Sequence, residues 1–277
     1  MDYKRVLTIQ DISCFGQCSL TVALPILSAC GVETVFLPSA VLSTHTGGFT
    51  GFTFRDLTDD IPSIAAHWKK EGIDFDAIYT GYLGSVKQID MVKDIFNTLT
   101  RENGIKIVDP AMADNGNLYY GFDEVYAKAM ASLCAEADLV LPNITEACFM
   151  TGMEYKEKYD EQYVNDILDA LEKAGMKNVI LTGISYNEAT TGVVVKVNGK
   201  TEYYSHRRLP VGSHGTGDVF ASAFTGAVLR GKSAYGASKV AANYTLRCIE
   251  NTVGDETHKY GVKFETAIPY LISQIEE

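Results

Sequence analysis

The chain's pattern predicts an α/β fold: a central, mostly parallel sheet flanked by helices on both faces. Three observations carry that reading. Short apolar runs alternate with helical patterns from the first residues to about Gly183. Glycine or proline punctuates most of the joints. Beyond residue 184 the alternation stops, and a β-rich pair joined at Asn198-Gly199 precedes a purely helical remainder. Strands alternating with helices are the mark of parallel strands joined by helical crossovers.

Taken in order, residues 6–9 form an apolar strand, and 19–30 read as a helix ending at Gly31. Residues 34–42 are rich in β-branched side chains and predict a second strand, and 61–71 a helix closed by Gly72. A short strand at 77–80 stops at Gly81, and a helix over 86–102 stops near Gly104. Strands follow at 105–108, cut by Asp109-Pro110, and at 139–141, cut by Pro142-Asn143. A helix over 162–174 leads into a strand at 179–181. Residues 190–197 and 200–206 form a hairpin, since Asn-Gly is the strongest short hairpin signal. Helices are predicted over 215–230, 234–250 and 264–275.

Parallel sheets bind ligands beyond the carboxyl ends of their strands. That rule selects Gln10 and Asp11, residues 43–48, Gly81 and Tyr82, Asp109, Asn143 and Thr182.

The 277 residues suit one large domain, and the absence of any linker, repeat or low-complexity tract favours a single domain over 1–277. No apolar run approaches the ~20 residues of a membrane span. The N-terminus runs into a strand without a signal-peptide pattern, so a cytoplasmic protein is expected. Net charge is −11, from 24 Lys and Arg against 35 Asp and Glu. That balance argues against a nucleic-acid or anionic-membrane surface, which needs clustered positive charge. It leaves nucleotide binding open, because backbone amides and a metal ion can hold phosphates. The six cysteines form no C-x-x-C pair and read as small buried hydrophobes, with Cys14 and Cys18 set apart in a loop near the first strand's end.

The most informative stretch is Val211-Gly212-Ser213-His214-Gly215-Thr216-Gly217-Asp218, which leads into an apolar helix. Glycines let the backbone turn sharply, and the amides of a helix's first turn point outward with the positive end of the dipole behind them. The result suits an anion. Asp218 beside an anion site suits a proton acceptor for a hydroxyl attacking a phosphoryl group. A plain helix cap by Asp218 or Thr216 is the competing reading.

Gly215-Thr216-Gly217-Asp218 resembles the anion-hole motif of the ribokinase superfamily, whose aspartate is the catalytic base. More narrowly, the chain resembles pyridoxal kinases. The similarity runs through Val6-Leu7-Thr8-Ile9-Gln10, His45-Thr46-Gly47, Thr80-Gly81-Tyr82, Val108-Asp109-Pro110 and Pro142-Asn143-x-x-Glu146 to the glycine motif. The resemblance implies a ribokinase-like fold and an ATP- and magnesium-dependent kinase acting on a pyridoxal-type heteroaromatic alcohol, working as a homodimer. It assigns Asn143 and Glu146 to magnesium and the triphosphate, largely through water. It places Asp109 near phosphates and cation as a second acidic group for the metal, gives Asp114 a similar part, and sets Thr182 on the nucleotide side. Thr46 and Gly47 would touch the ring, and Tyr82 would wall it. His45 is either a ring contact or a satisfied loop histidine. Glu146 has a competing reading as a first-turn helix acid, and Thr182 as a plain strand-edge residue.

The chain also departs from the pattern. Asp11 stands where a serine is common; its carboxylate can accept from a ring hydroxyl or pair with a protonated ring nitrogen. Leu141 stands where a threonine is common, which leaves the monovalent cation of such kinases open. No long β-lid insertion separates the first strands, and residues 111–123, with Asn115-Gly116-Asn117 and Tyr119-Tyr120-Gly121, read as a closing flap or a surface loop. Hydroxymethylpyrimidine kinase is the nearest rival, although that branch often carries cysteine where Asp218 stands. Sugar kinases fit less well without a lid, and a non-catalytic pyridoxal-binding relative is the rival of another class.

Overall fold

The computed structural model describes residues 3–209 and 214–276, so 211–213 of the stretch before the glycine turn lie outside the described residues. The first half runs β1 (Arg5–Ser13), α1 (Leu20–Ala29), β2 (Glu33–Leu42), β3 (Phe54–Asp56), α2 (Ile61–Lys70), β4 (Phe75–Thr80), α3 (Val86–Leu99) and β5 (Thr100–Val108). A small pair follows, β6 (Ala113–Asp114) and β7 (Asn117–Leu118), then α4 (Glu124–Cys134), β8 (Leu139–Val140), α5 (Ile144–Thr151), α6 (Glu161–Lys173) and β9 (Val179–Ile184). The last part is β10 (Thr190–Val197), β11 (Lys200–Arg207), α7 (Thr216–Leu229), α8 (Ala234–Thr252), a 3-10 turn (Phe264–Ala267) and α9 (Ile268–Glu276).

One nine-stranded sheet has the order β11-β10-β9-β8-β5-β4-β1-β2-β3. From β9 to β2 every pairing is parallel, and β3, β10 and β11 join antiparallel at the two edges. β1 lies inside the sheet, and its side chains alternate between two cores. Leu7 and Ile9 pack with residues of α3 to α6, while Val6 packs with residues of α1, α7, α8 and α9. All three are fully buried, and each such side chain contributes roughly 1.5–3 kcal/mol relative to exposure. Among the described residues no helix is long and apolar enough to cross a membrane, and no separate β-lid stands between the first strands.

Two boundaries differ from the sequence expectation in ways that matter. β1 continues to Ser13 through an irregularity between Gln10 and Ile12, so Asp11 sits within the strand instead of just after it. The helix expected over 86–102 stops at Leu99. Thr100 pairs with Phe75 in the sheet, and Asn103, at φ 64°, takes the left-handed conformation that asparagine tolerates better than most residues.

Candidate active site

The carboxyl ends of β1, β4, β5, β8 and β9 meet the start of α7, and this junction gathers most of the residues singled out by sequence. Gly215 caps α7 at φ 75°, and a Cβ there would run into the Gln17 carbonyl oxygen. Only glycine fits. Val219 is the first residue shown donating back into the helix, to Gly215 O at 3.0 Å, so the Gly217 and Asp218 amides belong to the outward-facing turn. A Cβ on Gly217 would meet nothing within 4 Å, which leaves room at that turn for a phosphate-sized anion.

Asp218 is partly buried in α7's first turn. Burial pushes its carboxyl up to about 7, the charge of Asp11 adds to the rise, and the Ser19 amide opposes it. Asp11 is 5% exposed and also raised by burial, against the hydroxyls of Ser19 and Ser13, the latter at 2.9 Å. Ser19 therefore touches both carboxylates, through its amide and its hydroxyl. It does so at φ 54°, a conformation unfavourable for serine. Cys18 lies in the same corner; burial and the charges of Asp218 and Asp11 hold its thiol far above the usual range, so it is an inert thiol.

On one side of the junction, Tyr82 is half-buried near Asp11 and stacks on Phe122 (ring centroids 5.4 Å apart), which stacks in turn on Tyr126 at 3.8 Å. His45 is resolved as a satisfied loop histidine. Its Nδ1 accepts the Gly47 amide at 3.2 Å, which leaves Nε2 to donate to the Tyr260 carbonyl at 3.0 Å. Burial lowers its pKa, so the ring is neutral. It acts by shaping the loop that carries Thr46 and Gly47, and His214 packs against both His45 (centroids 5.4 Å) and Gly47.

On the other side, Asp109 is 8% exposed, and burial with the charges of Glu146 and Asp218 raises its carboxyl well above the usual range. The next residue but one, Ala111, has φ 40° and donates its amide to Asp109 at 3.2 Å. Glu146 belongs to a capping box at the start of α5. Its Oε2 accepts the Asn143 amide at 2.8 Å while Asn143 Oδ1 accepts the Glu146 amide at 2.9 Å. Its Oε1 accepts the Met112 amide at 3.0 Å, and burial still pushes the carboxyl up to about 7. Thr182 forms a bridge with Asn143, and its hydroxyl contacts the Pro142 carbonyl at 3.3 Å, as a strand-edge threonine does. Asp114 is exposed and folds onto its own turn, accepting from the Asn115 amide and side chain, both at 2.9 Å.

Among the described residues no three carboxylates, cysteines or histidines converge as a metal cage. Asp109 and Glu146 nevertheless fit a magnesium ion whose remaining ligands are phosphates and water. They are two buried carboxylates, and the charge of Glu146 raises Asp109; a cation would relieve that repulsion. Each Glu146 oxygen already accepts an amide, which suits contact through water better than direct ligation.

Sequence reasoning missed three contributors: Ser19, Tyr79 and Tyr119. Tyr79 is fully buried beside Gln10 and Ser222, and burial with the charges of Asp109 and Asp218 pushes its hydroxyl well above the usual range. Tyr119, just after the flap's second strand and 42% exposed, donates its amide to the Met112 carbonyl at 2.8 Å and lies in the field of Glu146, Asp114, Asp109 and Asp218. The Tyr119-Tyr120-Gly121 run was a visible signal, but nothing in it said which tyrosine lies nearer the carboxylates.

The chain is similar to several known kinases over nearly its whole length. A crystal structure of a candidate phosphomethylpyrimidine kinase from Bacteroides thetaiotaomicron, in an orthorhombic form with pyridoxal, matches with a TM-score of 0.92 at 37% identity, covering 98% of this chain and 96% of that one. Pyridoxal kinase from Lactobacillus plantarum matches with a TM-score of 0.91 at 30% identity, covering 99% of both chains. The hydroxymethylpyrimidine/phosphomethylpyrimidine kinase of Bacillus subtilis is 28% identical over 257 residues, 89% of this chain and 83% of that protein. The family model for phosphomethylpyrimidine kinase matches residues 24–263. By that match and by these likenesses, the chain belongs to the phosphomethylpyrimidine kinase family and is an ATP-dependent small-molecule kinase of ribokinase-like fold.

Proposed function

We propose that the chain transfers the γ-phosphoryl group of ATP to the 5′-hydroxymethyl group of a pyridoxal-type ring, with Asp218 as the general base. The observation that carries this is the carboxylate at the Gly215-Thr216-Gly217 turn, raised to about 7, where it can be ionised at neutral pH yet basic enough to take a hydroxyl proton. As the substrate oxygen bonds to the γ-phosphorus, its proton passes to Asp218, the bond to the β–γ bridging oxygen breaks, and ADP leaves. The amides of the glycine turn face the charge in flight. Asp109, with Glu146 and Asn143 acting through water, would hold magnesium and the phosphates; bound magnesium would supply charge neutralisation there. Asp114 and Thr182 border the nucleotide. Asp11, Thr46, Gly47 and Tyr82 receive the ring. The family resemblance adds a homodimer, which light scattering would measure.

The Bacteroides structure with pyridoxal, at 37% identity, supports this ring. The Bacillus subtilis relative supports a second reading, hydroxymethylpyrimidine as acceptor. A panel of pyridoxal, pyridoxamine, pyridoxine and hydroxymethylpyrimidine, scored by phosphorylated product, separates them. Pyridoxal-type rings should give the highest kcat/KM; a preference for the pyrimidine would replace the ring assignment and leave the base in place.

The flap is part of this reading. β6 and β7 form a two-residue hairpin at Asn115-Gly116, with φ 50° and 77° as a type I′ turn requires. Shortening the hairpin at that turn should raise the ratio of ATP hydrolysis to product formation, because water then reaches the phosphoryl group. If that ratio and KM for ATP both stay at wild-type values, the hairpin is a surface loop only.

A further inference from the structure

The first turn of α5 does more than cap a helix. Asn143 Nδ2 donates to the Ala113 carbonyl at 2.8 Å, and Glu146 Oε1 accepts the Met112 amide at 3.0 Å. Thr145, between them in sequence and 3% exposed, accepts the Gly116 amide on its hydroxyl at 3.1 Å. These contacts reach the start of the flap, its first strand and its tip. The tip is also bounded from the other side, because a Cβ on Gly116 would collide with the Tyr155 ring, 2.8 Å away at Cδ1. A two-residue hairpin moves as one piece. Its hold on the scaffold therefore rests on a few side chains, and Thr145 is the one placed at the far end of the lever. The chain leaves β7 at Leu118, and the Tyr119 amide donates at once to the carbonyl of Met112, at 2.8 Å, the residue whose amide Glu146 holds.

We propose that Thr145 is a positioning residue that latches the flap. By holding the Gly116 amide, it fixes the hairpin, and with it Tyr119, over the nucleotide side of the site. The α5 turn thereby serves two ends with one set of side chains: Asn143 and Glu146 face the phosphates and the flap's base, and Thr145 secures its tip. This rests on the kinase reading only for its nucleotide side and is independent of which ring is phosphorylated.

Thr145→Val keeps the shape and removes the acceptor, leaving the Asn143 and Glu146 contacts in place. A hydrogen bond of ordinary net strength corresponds to about a 2- to 10-fold effect. The Gly116 amide should exchange with solvent faster by about that factor. The dissociation constant for ADP and KM for ATP should rise by a similar factor, and the ratio of ATP hydrolysis to product should rise with them. KM for the ring should stay within twofold. Thr145→Ser should restore all of these, which a purely structural role for the threonine's bulk would not allow. Tyr155→Leu, which loosens the tip from the opposite side and leaves the Thr145 hydroxyl in place, should shift the same three readouts in the same direction.

If Gly116 exchange is unchanged in Thr145→Val, the latch does not exist in solution. If exchange quickens but nucleotide affinity and the hydrolysis ratio stay at wild type, the contact does not position the flap, and the proposal is overturned. Failure of every ring in the substrate panel would instead count against the proposed function, since ADP binding and amide exchange still read the latch.

Discussion

Asp218→Asn should lower kcat by about 10²–10⁴-fold, the usual worth of a positioned general base, while ATP binding stays close to wild type. The substitution keeps the side chain's shape and removes its ability to take a proton. The pH profile gives a second check. The carboxyl ionises at about 7 in the free protein, so kcat/KM should climb as pH rises through that value and level off above it. In Asp218→Asn that limb should vanish from whatever activity remains. Stability should move the other way. The folded-state value lies above the ordinary 3.8, so the folded chain binds a proton more tightly than the unfolded one. That contribution is complete below about pH 4 and is lost as pH rises through about 7. An asparagine never ionises, so at pH 8 the variant's Tm should equal or exceed that of the parent. Near-native turnover by Asp218→Asn would remove Asp218 from the mechanism.

Asp11→Ala is expected to lower kcat/KM for the ring substrate by about 10- to 100-fold, the equivalent of one charge-assisted hydrogen bond, with KM for ATP unchanged. Asp11 accepts from Ser13 and Ser19 and lies near Tyr82, at the acceptor side of the junction. Its charge also helps to raise Asp218. Removing it should therefore move the acid limb of the pH profile to lower pH, in addition to weakening ring binding. Asp11→Ser should recover much of the activity and shift preference from pyridoxamine toward pyridoxal, because serine can donate as well as accept. An alanine variant with unchanged ring kinetics and an unmoved acid limb would make Asp11 a strand residue that only anchors Ser13 and Ser19.

The sheet was legible in the sequence because its strands are buried on both faces, so β-branched and apolar residues run together and glycine or proline marks where each run ends. α5 was not placed as a helix, for the complementary reason. Nearly every side chain of Ile144–Thr151 is buried, so there is no polar face and no helical period to read. Its visible signal was the Asn143-to-Glu146 spacing, which offered Glu146 as a first-turn helix acid but gave no period from which to read the helix's extent. The strand at 100–102 was hidden because Thr-Arg-Glu is compatible with a helix, and only pairing with Phe75 decides otherwise.

The site divides in the same way. Residues that follow strands could be named one by one, since the rule of strand ends needs no partner. Which of them face each other could not. Ser19 joins nearby Asp11 to Asp218, some two hundred residues further along, and Tyr119 lies in the field of four acids held by different elements. Only the Tyr260 carbonyl, far along the chain, decides between the two readings of His45.

That carbonyl sets an order of manufacture. Tyr260 O accepts both the His45 ring and the Gln17 amide, at 3.0 Å each, and His258 meets the Gln17 side chain at 3.0 Å. The two loops that shape the acceptor side are thus fastened by a segment that emerges from the ribosome 215 residues after His45. Synthesis proceeds at roughly 5–20 residues per second, so β1 and β2 wait on the order of ten seconds for it. A nascent chain can assemble sheet and nucleotide side while its acceptor side is still open. The acceptor side therefore closes only after the segment around Tyr260 has cleared the exit tunnel.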